Sequence, residues 1–524
     1  MRTEAARQAG SREISHLLVS PGREEFEALE GYTHAIVFTG LSCDLETPVS
    51  TFMKLRAAPD EPCFMLESAE SGRMWGRYSF LGFAPSAVAS VDCGSLVVTM
   101  PGGEIVIADE DPVEALFSMV DGARVFVSGG ADEVEEAPPF EGGAVGFFGY
   151  GTLGLVEKVM LAKEAGVGGI PELMFMFPGR LVVFDHLRSR LRLSVLVDLR
   201  RAGEERGRAY DAAVDELEEM ASSVRDQLPR GGSISIDTNT QDDFSGVNGN
   251  ETRQRFEEMV REALEHIFAG DAFQVVVSQR LSMPFDGDPL SVYRHLRAEN
   301  PSPYMFYLQM PGVTLVGSSP EPMVTNLKGR AVIRPIAGTR PRGAGAEADA
   351  ALASELEGDA KEKAEHIMLV DLARNDLGRV SRPGTVKVTR LMEVERYSHV
   401  MHMVSEVEGV LEDGAGNCEL LKASFPAGTV VGAPKVRAAE IVEALEPDGR
   451  GPYAGAVGYL SYSGDMDTCI TIRTVVIRDG TAHVQAGAGV VADSDPAHEY
   501  QETLDKARAV VRAVRAAGRA GRDG

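Results

Sequence analysis

Apolar residues recur at helical spacing in residues 251–268, where Phe256, Met259, Val260, Ala263, Leu264 and Ile267 share one face and Gly270 is placed to stop the helix. A second amphipathic helix is predicted over 204–228. Between them lies RGGSISIDTNTQDDFSGVNGN, residues 230–250, rich in Gly, Ser, Asn and Asp and without a period, which predicts a linker or long surface loop. Upstream, residues 33–197 are strand-rich: SVDCGSLVVT (90–99) and residues 181–197 carry β-branched alternation broken by Gly and charged turns. A strand over 273–281 follows the 251–268 helix, and strands then alternate with long helices to about residue 517. No short repeat is present, so solenoids and propellers are not expected. The pattern predicts a mixed α/β (α+β) fold. It divides into a disordered or extended tail (1–32), an N-terminal lobe (33–228), a linker (229–250), a C-terminal α/β region (251–517) and a C-terminal tail (518–524).

Composition narrows the class. The chain has 524 residues, 44% hydrophobic and 25% charged, enough for a large core. Its formal net charge of −27 argues against nucleic acid and anionic membrane surfaces, which recruit Lys and Arg clusters. The densest acidic stretch is residues 132–136. Any site for an anionic substrate must therefore be locally basic or metal-assisted. The five cysteines are scattered, odd in number and form no CxxC, so neither a disulfide framework nor a zinc site is expected. The N-terminus lacks a signal-peptide core and no run of about 18 apolar residues occurs. A reducing cytoplasm fits.

Candidate chemistry falls in three groups. Glu362 and Glu365, and again Glu499 and Glu502, are three residues apart in helical segments, so each pair shares a helix face. Two such pairs could make an all-oxygen Mg²⁺ site, although Glu pairs of this spacing are common on surface helices. Gly-rich segments form the second group: GSSPE (317–321), PIAGTR (335–340), PAGTVVGAPK (426–435) and QAGAGVV (485–491). Glycines let a backbone approach a ligand, while Thr339, Arg340 and Arg473 offer donors to a carboxylate. None has the spacing of a P-loop or dinucleotide fingerprint. Third, His402 stands on a strand in an otherwise apolar stretch, either as a satisfied core histidine or as a proton carrier.

Taken together, these segments resemble the chorismate-utilising enzymes, and among them the anthranilate synthase large subunits. The resemblance spans Ile36 to Arg512 and is dense after Phe268. It includes LESAESGRMWGRYSFLG, GDAFQVVVSQR, NPSPYMFYLQ, VGSSPEP, RPIAGTRPRG, KEKAEHIMLVDLARND, VERYSHVMH, GAPKVRAAEI, GAVGYLSYSGDMDTCITIRT and QAGAGVVADSDPAHEYQET. It implies two large β-sheets packed together and flanked by helices. It also implies a Mg²⁺-dependent reaction in which ammonia adds at C2 of chorismate as the C4 hydroxyl leaves, followed by loss of pyruvate to give anthranilate. On that resemblance Glu362, Glu365, Glu499 and Glu502 hold the metal. Glu321 protonates the departing hydroxyl, and His402 removes the C2 proton in the second step. Thr339, Tyr453, Arg473, Gly487, Gly489, Lys506, Ala337 and Gly338 surround the substrate.

Two positions separate this chain from its relatives. Gln274 stands where the isochorismate and salicylate synthases carry a water-activating Lys, and a neutral amide cannot be that base. Ala337 stands where aminodeoxychorismate synthases carry a nucleophilic Lys. The resemblance further implies a separate glutamine amidotransferase subunit as ammonia source, in a heterotetramer or homodimer. It implies a tryptophan-sensing site made by Glu67, Ser68, Pro303, Tyr304, Met305, Val457 and Tyr459. One departure is Val430–Val431 in GTVVGAPK, where GTLSGAPK is usual, so a hydroxyl near the site is expected to be lost. Three alternatives stay open: an aminodeoxyisochorismate synthase that stops before pyruvate loss, a hydrolytic enzyme on the same substrate, and a scaffold without activity.

Overall fold

The computed structural model describes residues 17–69, 76–107, 111–128, 137–157, 159–161, 163, 167–203, 205–228, 244–397 and 400–520. The acidic run 132–136, residues 1–16 of the tail and residues 70–75 of the LESAESGRMWGRYSFLG segment lie outside them.

Two long strands, Tyr78–Asp92 and Leu173–Asp185, organise everything else. They pair antiparallel along their length, with a register shift between Pro85 and Ala87 where Ala84 takes a φ of 47°. Each is bent there, and each half enters a different sheet. In the first sheet the Tyr78 half pairs with Cys63–Glu67, which continues through 304–310, 313–319, 474–478 and 481–490 to Gln274–Pro284. Its other side runs through Arg190–Asp198 to His34–Ser42. In the second sheet the Leu173 half pairs with Gly143–Phe148, and the ladder continues through 456–461, 466–470, 322–327 and 330–333 to Val400–Val410. His34–Ser42 with Val125–Val127 is parallel; the other described pairs are antiparallel.

Between the sheets lies an aromatic core with Phe64, Phe80, Phe140, Phe147, Phe306 and Tyr459. Helices cover the outer faces. The first sheet's face packs against helices 48–55, 206–225, 289–299 and 496–520. The second packs against helices 112–121, 360–378 and 417–424, while helices 253–268 and 435–445 cover the Gln274–Pro284 strand of the first. Fully burying each large apolar side chain here stabilises the fold by roughly 1.5–3 kcal/mol. The expected helix at 251–268 forms as Arg253–Phe268, with Phe256, Met259, Val260 and Ala263 buried. It starts two residues late because the Thr252 side chain accepts from the Arg255 N–H and caps it. The 204–228 helix is Arg206–Arg225, and the 273–281 strand is Gln274–Pro284.

Three expected boundaries shift. Residues 17–32 are packed rather than a tail: Arg23–Glu27 is a helical turn and Phe26 is fully buried. Of the linker, 229–243 lies outside the described residues, but Asn248–Gly249 pairs with Leu281 and Ser282. The last helix runs to Ala520. The division into lobe and catalytic region is also not a spatial one. Strand 63–67 pairs with 304–310 and 143–148 pairs with 456–461, so both sheets cross the boundary. Among the described residues no helix is long and apolar enough to cross a membrane.

Candidate active site

Side chains from both sheets and two helices converge on a cavity of about 230 Å³. Gln274 opens the Gln274–Pro284 strand, and its neighbour strand Thr481–Val490 supplies Gly487 and Gly489. Those glycines are required. A Cβ on Gly487 would come within 2.6 Å of the Tyr453 hydroxyl, and one on Gly489 within 2.8 Å of Gln274 Nε2. Ala337 and Thr339 come from strand Ile336–Pro341, whose register shifts at Gly338 opposite His402. Glu321 sits on the turn between strands 313–319 and 322–327. Helix Ala360–Gly378 carries Glu362 and Glu365, and helix Pro496–Ala520 carries Glu499, Glu502 and Lys506. Gln274, Glu321, Ala337, Thr339, Glu365, His402, Tyr453, Arg473, Gly487, Gly489 and Lys506 all line the cavity.

Glu321 is the group most altered by its surroundings. Burial pushes its carboxyl up to about 7, opposed by the Thr429 hydroxyl alongside and the Lys506 charge. A carboxylic acid in this range holds its proton near neutral pH and can still give it up. Elsewhere in the lining, His402 Nδ1 and the Thr339 hydroxyl are joined at 2.9 Å. Burial lowers the His402 pKa, with the Arg473 charge adding to it, while the Gly338 backbone and Glu395 oppose the shift. The imidazole is therefore held neutral, as a base must be. Arg473 is held at a φ of 52° and donates to the Lys506 carbonyl at 2.6 Å. Lys506 Nζ donates to the Gly487 carbonyl at 3.0 Å and pairs with Glu502 at 2.6 Å. Gln274 Nε2 donates to Glu365 at 3.2 Å, leaving its amide oxygen buried without a partner.

Of the four acids only Glu365 lines the cavity; Glu362, Glu499 and Glu502 lie outside its lining. Glu365 is raised by burial first and then by the charges of Glu362 and Glu502; Glu499 is raised by burial and by Glu502. The Glu499 and Glu502 oxygens and a His498 ring nitrogen lie within 4.8 Å of one another. From the other helix Glu365 feels the Glu502 charge, whereas Glu362 lies beside Glu365 and is engaged by Arg340. Arg340 pairs with Glu362 at 3.3 Å and with Asp359 at 3.0 Å. Clustered carboxylates are hard oxygen donors, and burial raises Glu365 and Glu499, which fits a divalent cation of the Mg²⁺ class. His498 was not anticipated, because a lone exposed histidine one residue before Glu499 carries no spacing signal.

Other residues were missed for a similar reason. Arg450 is fully buried. It pairs with Glu446 at 2.6 Å and donates to the carbonyls of Val276 and Val430 at 2.6 and 2.7 Å, and its guanidinium stacks near Tyr150 and Tyr453. Val276, Val430 and Tyr453 all line the cavity, so this buried pair fixes its wall. The Val430–Val431 departure resolves into two cases. Val430 lines the cavity, whereas Val431 is wholly buried in the helix-covered core, so the hydroxyl expected to be missing at 431 does not face the site.

A second pocket, about 60 Å³, opens between the sheets, and Glu67, Ser68, Pro303, Tyr304, Met305, Val457 and Tyr459 all line it. Tyr293 donates to Glu67, and Arg297 pairs with Glu67 at 3.3 Å. The Tyr304 hydroxyl donates to Asp467 at 3.0 Å.

Residues 45–512 match the family model described as chorismate binding enzyme. The chain belongs to this family of chorismate-binding enzymes. Within it, this chorismate-binding chain is 43% identical over 476 residues to anthranilate synthase component 1 of Acetivibrio thermocellus, covering 91% of this chain and 94% of that one. Its fold matches the crystal structure of anthranilate synthase component I from Streptococcus pneumoniae TIGR4 with a TM-score of 0.73 at 34% identity, covering 90% of this chain and 99% of that one. The menaquinone-specific isochorismate synthase of Escherichia coli shares the fold, with a TM-score of 0.66 at 17% identity over 94% of this chain and 97% of that one. The two packed sheets expected from the sequence are therefore a property of the family as well as of this chain.

Proposed function

We propose that this chorismate-binding enzyme is the aminating component of an anthranilate synthase, adding ammonia to chorismate and then eliminating pyruvate. The observation that carries this reading is the placement in one cavity of a buried Glu321, whose carboxyl is pushed up to about 7, and of His402, whose pKa burial lowers. Arg473 and Lys506 bring positive charge to the carboxylates of the substrate. Glu362, Glu365, Glu499 and Glu502 would hold Mg²⁺, which when bound supplies positive charge for a substrate carboxylate and offsets the cluster's own repulsion. Glu321 gives its proton to the C4 hydroxyl, which leaves as water. Ammonia bonds to C2, and the unpartnered amide oxygen of Gln274 is available to accept one of its N–H groups. In the second step His402, oriented by Thr339, takes the C2 proton as the bond to the pyruvyl oxygen breaks.

A neutral amide at Gln274 and a methyl at Ala337 leave this chain without a water-activating or ring-attacking lysine at either position, which favours an external nitrogen nucleophile. That ammonia comes from a separate glutamine amidotransferase subunit, and the pocket between the sheets takes tryptophan as feedback inhibitor. The test is a product assay on the purified chain with chorismate, Mg²⁺ and either ammonium or glutamine. Anthranilate and pyruvate in equal amounts, from ammonium but not from glutamine, is the expected result. Aminodeoxyisochorismate alone would move the chain to the enzymes that stop after amination, and isochorismate without ammonia would reject the nitrogen reading.

A further inference from the structure

Glu321 is shared by two cavities. One is the substrate cavity. The other, about 40 Å³, lies behind it and is lined by Arg334, Leu369, Asp376, Ser424, Gly428 and Thr429, among others. Glu321, Leu369 and Thr429 line both, so they form the partition. About 10–15 Å³ of such space admits one water, so the rear cavity has room for a short file of water. It also has a partner for it in the buried Thr429 hydroxyl beside Glu321. At its far side Asp376, almost fully buried, accepts from Lys435 Nζ at 3.1 Å; the same ammonium donates to the Ser424 carbonyl at 2.9 Å. The amination and elimination steps use neither Asp376 nor Lys435.

Proton accounting gives this pair a role. Each amination consumes the Glu321 proton, which departs with the C4 hydroxyl as water, while the C2–NH₃⁺ adduct sheds one proton as it becomes the amine. No proton is consumed overall, but Glu321 must be reloaded before the next amination. The rear cavity is the face of Glu321 that the substrate does not cover. We infer that Asp376, carried by the Lys435 pair, returns a proton to Glu321 through the rear cavity after each amination. This rests on the reading of Glu321 as general acid.

Energetics agree with the geometry. Burial pushes Asp376 up to about 6 against the lowering charges of Lys435 and Arg379, with Glu157 adding to the rise. Glu321 is at about 7, facing Lys506 and Thr429. Two acids about a unit apart exchange a proton with little driving force in either direction. Arg334, the other charged group on the cavity, is neutralised by Glu395 at 2.9 Å and Glu406 at 3.5 Å. Arg379 and Glu157, whose charges act on Asp376, form a partly exposed pair.

The experiment is pre-steady-state product formation by the full chain with chorismate, Mg²⁺ and ammonium. Wild type, Asp376→Asn, Asp376→Glu and Thr429→Val are compared. In Asp376→Asn the first turnover, which uses the proton already on Glu321, is expected at the wild-type rate. Later turnovers are expected at least 10-fold slower, giving a burst of one product per site with a raised solvent isotope effect. Formic acid is expected to restore part of the rate, and Asp376→Glu most of it. Thr429→Val, which leaves the Lys435 pair intact, is expected to slow later turnovers in the same way. An equal loss in first and later turnovers in both the Asp376→Asn and Thr429→Val chains, or no loss in either, overturns the relay. If Glu321→Gln keeps the wild-type rate, the general-acid reading and the relay fall together; if Glu321→Gln is inactive while Asp376→Asn shows no burst, only the relay falls.

Discussion

The substrate cavity and the pocket between the sheets each contain one buried carboxylic acid shifted by the same cause to the same range. Glu321 and Asp467 are both pushed up to about 7, and for both burial is the largest influence. Their settings differ. Asp467 receives the Tyr304 hydroxyl at 3.0 Å, among aromatic and apolar neighbours, in a space of about 60 Å³. Glu321 has the Thr429 hydroxyl beside it and the Lys506 charge acting on it, and it faces about 230 Å³. A raised pKa thus marks a desolvated acid. Only the space before it and the groups that share that space, here His402 and Arg473, make it a proton donor for chemistry.

The comparison can be broken by exchanging neutral isosteres. The largest effect is expected from Glu321→Gln, which removes the transferable proton and should lower the rate of chorismate consumption by about 10²–10⁴-fold with little change in KM. His402→Ala should come next: pyruvate loss falls by about 10²-fold while amination falls less, so aminodeoxyisochorismate accumulates and is resolved by chromatography. Equal losses in both steps would remove His402 from the second step. Glu499→Gln should raise the Mg²⁺ concentration for half-maximal rate by at least about 10-fold, read by metal titration, with the rate partly recovered at saturating metal. Asp467→Asn should be the mildest on activity, within about 2-fold, while unfolding reports about 1 kcal/mol from the altered Tyr304 bond. A large loss of rate in Asp467→Asn would erase the distinction between the two acids.

Periodicity found what is local. The face Phe256–Met259–Val260–Ala263 was visible because a helix repeats, and the Glu362/Glu365 and Glu499/Glu502 spacings survive as two helix faces turned toward one another. Phe26 was hidden because a single aromatic in REEFE looks like surface, and only the far helix bearing Tyr210, 5.3 Å away, buries it. Arg450 was hidden for the same reason. Its partners Val276 and Val430 are 174 and 20 residues away, so no window contains the contact. The pocket between the sheets depends on segments near 67, 304 and 457. The resemblance named those residues, and the pairing of Cys63–Glu67 with Tyr304–Met310 gives part of the physical reason they meet.

The most direct test of Glu321 as a proton donor set by burial is the pH dependence of kcat/KM for chorismate consumption at saturating ammonia and Mg²⁺. The reactive form of Glu321 is protonated, so the rate should hold below about pH 7 and fall about tenfold per pH unit above it. The lowered His402 pKa places any loss from protonating that base on the acid side instead. In Glu321→Gln the alkaline fall should vanish along with most of the rate. An alkaline fall that stays unchanged in Glu321→Gln would contradict the account.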